Sequence, residues 1–393
     1  MKWHGVNRMG RLSKIALNYP ASGIRRMFDL AAKYDNAISL TLGEPNFDTP
    51  INIKQAAKKA IDDGYTHYNP NAGILELRKV IAENYKKYSP SYGFENVMIT
   101  VGALEALTLS LMTTVDPHDE IIVPDPCFPN YIGQIMLVGA IPVSVPVYEE
   151  NDFKIRARDI RKALTPKTRG IVLNSPSNPM GSVLDRAEIE KIAEVAEEHD
   201  LLVYSDECYE KLLYDGREHF SMAQIPELAK RVLLINSLSK TYAMTGWRIG
   251  FVLGSCDIIS NMPKIQEGIV SCVSTFIQKA AIEALTGPQD AVAGMVNDYR
   301  RRRDILIDGL NSIPGFKCKK SPGSFYAFAN IKEFGKSSLE FAEELITGAQ
   351  VVTVPGSAFG KMGEGYLRLV FANSDENLKE AVSRISRYIK QRY

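Results

Sequence analysis

Between residues 97 and 255 the chain alternates short β-branched runs with helical patterns, and few folds accommodate that rhythm. Seven runs read as strands: 97–100 (VMIT), 120–124 (EIIVP), 141–147 (IPVSVPV), 170–175 (GIVLNS), 201–206 (LLVYSD), 232–237 (VLLINS) and 249–254 (IGFVLG). The stretches 104–115, 131–139, 157–164 and 185–200 read as helices. In the last, Ile189, Ile192, Ala193 and Ala196 recur at the three-and-four spacing of a one-sided helix. Strands this rich in Val, Ile and Leu are buried on both faces. The pattern predicts an α/β unit of three layers, α/β/α, around a mostly parallel seven-stranded sheet.

The flanks read differently. Residues 23–33 predict a short helix, and 41–50 (TLGEPNFDTP) have loop chemistry. A helical region spans about 271–311, and its charge run 299–304 (YRRRRD) reads as a solvated face. A smaller unit follows: 325–331 (FYAFANI), a helix near 338–347, 351–356 (VVTVPG), 366–372 (YLRLVFA) and a terminal helix over 375–391.

Composition mainly excludes. Lys plus Arg number 47 against 46 Asp plus Glu, a balance that argues against a nucleic-acid or anionic-membrane surface. Five scattered cysteines without a C-x-x-C pair, and five histidines without HExxH, predict neither a disulfide framework nor a metal site. No apolar run approaches the ~20 residues of a membrane span. The first 17 residues lack the apolar core of a secretion signal, so a cytoplasmic location is expected.

The densest chemistry lies in 236–250 (NSLSKTYAMTGWRIG). Lys240 follows a strongly apolar strand, where desolvation lowers an amine's pKa and makes it a nucleophile toward carbonyls. Ser237, Ser239 and Arg248 offer hydroxyls and a guanidinium to an anion such as a phosphate. Asp206 closes another apolar strand, where α/β sheets carry their sites, and Tyr209 follows three residues later. A buried Asp needs a cation, which a protonated pyridine nitrogen would supply; capping a following helix is the alternative. Asn178 lies in the turn 174–181 (NSPSNPMG), where it can donate to a phenolate or simply shape the turn. Ala103 and Leu104 open a helix whose N–H groups suit an anion. Phe128 could lie on an aromatic ring or in the core. Arg368, within an apolar strand, requires a carboxylate from a ligand or from the protein.

SLSK followed by GWRIG, with SNPMG and SDECY upstream in that order, resembles the class I/II aminotransferases, fold-type I pyridoxal 5′-phosphate enzymes. The resemblance runs essentially end to end, from SGIRRMFDLA (22–31) through LTLGEPNFDTP and YNPNAGILELR to the Arg368 strand. It implies that Lys240 binds the cofactor covalently and carries the proton between Cα and C4′. By the same resemblance, Asp206 pairs with the pyridinium, Tyr209 and Asn178 hold the ring oxygen, and Phe128 stacks on the ring. Ser237, Ser239, Arg248, Ala103 and Leu104 would hold the phosphate, with Tyr68 reaching it across a homodimer interface. Gly43 would flank the substrate and Arg368 would bind its α-carboxylate.

The implied organisation is a large cofactor domain, 46–293, and a small one from 1–45 and 294–393. The implied activity is transamination between an L-amino acid, aspartate or a broad or aromatic set, and a 2-oxo acid such as 2-oxoglutarate. Met180 stands where the family often has Thr, and no second arginine for a distal carboxylate is apparent. Rival readings are a β-lyase or carbon–carbon-bond-forming synthase on the same fold, or a non-catalytic cofactor-binding regulator. A nicotinamide-dependent dehydrogenase lacks its GxGxxG here.

Overall fold

A computed structural model describes residues 12–20, 27, 30–31 and 34–393. Most of the helix expected over 23–33 lies outside the described residues. All seven expected runs are strands of one sheet: β2 (Val97–Thr100), β3 (Glu120–Asp125), β4 (Ile141–Pro146), β5 (Thr168–Asn174), β6 (Leu202–Asp206), β7 (Val232–Ser237) and β8 (Gly250–Leu253). Their order is β2-β8-β7-β6-β5-β3-β4, and β8 alone runs antiparallel to its neighbours. β2 and β7 are buried at every residue, as continuous apolar runs require. Pro142 and Pro146 fall on the edge strand β4, where a missing N–H is tolerated.

Strand alternation sorts the side chains into two cores. Ile121 and Val123 join one with the helix Gly102–Thr114, while Ile122 joins the other with the helix Arg186–Glu198. The latter helix is capped by Asp185, which accepts from the Glu188 N–H, and it buries the predicted Ile189, Ile192, Ala193 and Ala196. β4 lies on one side of β3 and β5 on the other. The chain therefore reverses direction between β3 and β5, and a crevice opens beyond their carboxyl ends.

The remaining strands belong to two small sheets. β9 (Tyr326–Asn330), β12 (Tyr366–Val370) and β11 (Val354–Pro355) form an antiparallel trio, with Arg368 opposite Phe328. β1 (Ile38–Ser39) pairs in parallel with β10 (Val351–Val352), tying the early chain to the late one. The terminal helix, Asp375–Arg392, buries Leu378, Ala381, Ile385 and Ile389.

One expectation fails. The region 271–311 is two helices, Thr275–Thr286 and Asp290–Asn311, interrupted at Gly287–Pro288. Its arginine run is only half solvated: Arg302 and Arg303 are buried. Arg302 bonds Asp375 and Asn46, and Arg303 grips Asp215 with two bonds. Carboxylates from distant segments make that burial possible.

Candidate active site

A cavity of about 300 Å³ opens at the carboxyl ends of β5, β6 and β7, roofed by the loop 41–43 and by Tyr326 and Arg368 from the small sheet. It brings together Gly43, Ala103, Leu104, Phe128, Asn178, Asp206, Tyr209, Ser237, Ser239, Lys240, Arg248 and Arg368. Tyr68 is the exception among the residues singled out from the sequence: it is 89% exposed and outside the cavity.

Lys240 sits on a single helical turn, Leu238–Thr241, directly after β7. Burial lowers its pKa to about 8, with Arg248 and Arg368 adding like charge; its Nζ donates to the Gly43 carbonyl at 2.7 Å. Asp206 ends β6, half-buried. Oδ2 accepts from the Tyr131 hydroxyl at 2.6 Å and Oδ1 from the Cys208 N–H at 3.1 Å. Burial raises its pKa; these bonds oppose the rise. No helix follows for Asp206 to cap, and no cation pairs with it among the described residues.

Arg248 holds a left-handed backbone (φ 54°), a conformation uncommon outside glycine. Exposed at the cavity mouth, its guanidinium donates, among the described residues, only to the carbonyls of Thr245 and Val101. Gly102, also left-handed (φ +75°), starts the helix Gly102–Thr114; any Cβ there would run into the Arg248 guanidinium. At the opposite end, Arg368 is 2% exposed between the Tyr326 and Phe359 rings. Nη1 donates to Asn178 Oδ1 at 3.1 Å and Nη2 to the Thr41 carbonyl, while Nε is buried without a partner among the described residues. No carboxylate of the described chain meets it. Gly43 is close enough to the Tyr326 hydroxyl that a Cβ would collide with it.

The cavity thus lodges a half-buried anion, Asp206, with half-buried Lys240 and buried Arg368, and they do not neutralise one another, which a folded protein tolerates mainly where a charged ligand completes them. The sequence profile described as aminotransferase class I and II matches residues 35–385. The chain belongs to this family. It is 43% identical to aromatic-amino-acid aminotransferase 2 of Thermococcus litoralis, over 94% of this chain and 96% of that one. It is 44% identical to aspartate aminotransferase of Pyrococcus horikoshii, over 94% and 95%. The solved aspartate aminotransferase of Thermus thermophilus with maleate superposes with a TM-score of 0.91 at 36% identity, covering 97% of this chain and all of that one. This aminotransferase is accordingly an enzyme of amino-acid transamination that depends on pyridoxal 5′-phosphate.

The residues fit that cofactor. A half-buried carboxylate, a desolvated amine and an arginine, none with an ion pair among the described residues, suit its ring nitrogen, its aldehyde and its phosphate. Met180, the departure from the family pattern, is buried in the core and does not line the aminotransferase's cavity.

Several lining residues escaped the sequence reading. Tyr131 bonds Asp206, and Tyr326 exchanges a 2.8 Å hydrogen bond with Tyr209. Asn174 accepts from the Asn178 N–H at 2.8 Å. Asn174 ends a strand, the same signal that exposed Asp206. The two tyrosines look like core residues until the fold is known.

Proposed function

We propose that the enzyme works by two alternating half-reactions in one cavity, an L-amino acid giving up its amino group and a 2-oxo acid, 2-oxoglutarate, accepting it. The observation that supports this most is the placement of buried Arg368 and half-buried Lys240 and Asp206, none with an ion-pair partner among the described residues, around a single cavity. Pyridoxal 5′-phosphate bound there supplies the electron sink for a carbanion at the substrate Cα.

The remaining roles fall to side chains. Lys240, with a pKa near 8, has a neutral fraction at physiological pH that can attack a carbonyl and take the Cα proton. Asp206 pairs with the protonated ring nitrogen. Tyr209 and Asn178 hold the ring oxygen and Phe128 covers the ring face. Ser237, Ser239, Arg248 and the N–H groups of Ala103 and Leu104 hold the phosphate. Arg368 grips the α-carboxylate with two parallel bonds, and Gly43 leaves room beside the substrate.

Among the described residues Arg248 and Arg368 are the arginines lining the cavity, and both are assigned, so a distal carboxylate finds no third one there. Leu42, Leu107 and Tyr326 suit a broad donor set that extends to aromatic side chains, with aspartate included. Tyr68 belongs to the phosphate site of a second subunit in a cytoplasmic homodimer. The chain divides into a large cofactor domain, 46–293, and a small one, 1–45 with 294–393. No helix among the described residues is long and apolar enough to cross a membrane.

The test is a donor screen with 2-oxoglutarate, following glutamate formation. Parallel double-reciprocal plots are expected for aromatic donors. Converging plots would overturn the alternating scheme; pyruvate and ammonia without glutamate would indicate a lyase.

A further inference from the structure

The turn that carries Lys240 is only four residues long, too short to hold its own shape. One side faces the catalytic cavity. Behind it lies a second cavity of about 290 Å³, lined by Tyr85, Glu210, Asn236, Leu238 and Thr241 among others, and Ser237 borders both. Packing alone therefore leaves the turn poorly supported from behind.

A buried hydrogen-bond chain crosses this gap. The Ser237 N–H donates to Asn236 Oδ1, Asn236 Nδ2 donates to the Tyr85 oxygen, and the Tyr85 hydroxyl donates to Glu210 Oε1, each at 2.7 Å. Glu210 Oε2 accepts from Tyr88 at 3.1 Å. The directions are forced. A carboxylate only accepts, so the single Tyr85 proton goes to Glu210. The Tyr85 oxygen must then accept from the amide, which turns Oδ1 of Asn236 toward the Ser237 backbone. Burial, with Glu210 beside it, raises the Tyr85 pKa well above its ordinary value and keeps that proton in place. Glu210 immediately follows Tyr209, so the chain also joins the ends of two strand-borne segments of the site.

We propose that Tyr85 is a positioning residue for the phosphate end of the cavity, fixing Ser237 by bridging Asn236 to Glu210. This rests on the reading of Ser237 as a phosphate contact. Tyr85 itself touches neither substrate nor cofactor; it acts through the amide of Asn236.

The experiment titrates the full-length, cofactor-free chain with pyridoxal 5′-phosphate and, separately, with pyridoxal, which lacks the phosphate. Tyr85→Phe is expected to raise the phosphate ester's dissociation constant roughly tenfold, the scale of one lost buried hydrogen bond. Pyridoxal binding should stay within twofold. Ser237→Ala should show the same selective loss, and the double variant should lose no more than either single one. Equal weakening of both ligands in Tyr85→Phe would mean general loosening and overturn the proposal, as would no change.

If Ser237→Ala leaves phosphate-ester affinity intact, the phosphate role of Ser237 fails by itself, whatever Tyr85→Phe does. Should Tyr85→Phe not fold, Asn236→Asp keeps the volume but sets two carboxylates against one tyrosine proton. The same phosphate-selective loss is expected there, and its absence rejects the proposal.

Discussion

Arg368 and Arg303 are equally buried, each about 2% exposed, yet their surroundings are opposite. Arg303 is held by two bonds to Asp215 and a third to the Ser321 carbonyl, with Asp304 alongside. Burial works against its charge, but the carboxylates outweigh that and its pKa is raised. Among the described residues Arg368 hydrogen-bonds only an amide and a carbonyl oxygen, and burial lowers its pKa. Lys240 shares the condition of Arg368. Carboxylates offset the cost of burying Arg303, whereas the unpaired cations in the cavity leave that cost standing and await a ligand.

The sharpest break in that contrast is Lys240→Ala. Transamination should fall by on the order of 10⁴-fold, because among the described residues no other amine lines the cavity to act as nucleophile and base. The absorbance of the covalently attached cofactor should vanish with it. An enzyme that kept both would show that Lys240 is merely a buried structural lysine.

The two arginines should part company when each is changed to methionine. Arg368→Met is expected to raise the amino-acid KM on the order of 100-fold, with thermal stability unchanged or improved by about 1 kcal/mol. Arg303→Met should leave KM alone and lose about 2 kcal/mol. That loss is moderate because the Asp215 side chain stays 54% exposed and water can solvate it. A crossed outcome, with Arg303 governing KM, would dissolve the distinction.

Lys240 gives the contrast a pH signature. Its folded pKa, about 8, lies below the ordinary 10.5. Between those values the unfolded chain binds the extra proton, so stability gained from deprotonation grows as pH rises. Cofactor-free Lys240→Met should therefore exceed the wild type by up to about 3 kcal/mol below pH 8. The gap should close as pH climbs toward 10.5. Denaturant unfolding at pH 7 and pH 10 reads it; a gap independent of pH would mean the lysine is already neutral or well solvated.

What the sequence could tell follows the same division. Lys240, Asp206 and Asn178 stood out because a polar residue at the end of an apolar strand has few places to go but the crevice of an α/β sheet. Most of the strands were legible because burial on both faces leaves no polar alternation, while the largely exposed edge strand β4 showed itself by its β-branched residues alone. The run 299–304 misled because neighbours on a helix point in different directions. Whether Arg302 and Arg303 turn inward depends on Asp375 and Asp215, 73 and 88 residues away. Tyr326 was hidden for the opposite reason: in an apolar strand a tyrosine looks like core, and only the register that sets β9 beside β12 brings its ring against Arg368.

Tyr131 is the smallest expected effect and bears on the anionic side of the contrast. Asp206 has no cation within the described chain, so its charge rests on two hydrogen bonds, from Tyr131 and from the Cys208 N–H. Tyr131→Phe removes the shorter one while keeping the ring that packs edge-on against Phe128. The Asp206 pKa, already raised by burial, should rise further because one of the bonds that oppose that rise is gone. Expected is a fall in kcat of roughly five- to tenfold, the scale of one charged hydrogen bond, with the acid limb of the kcat profile moved to higher pH. The amino-acid KM should change little, since Arg368 lies at the other end of the cavity. An acid limb that stays in place while kcat falls would assign Tyr131 to ring packing. Asp206→Asn should then remain far more damaging, because it removes the charge itself rather than one of its supports.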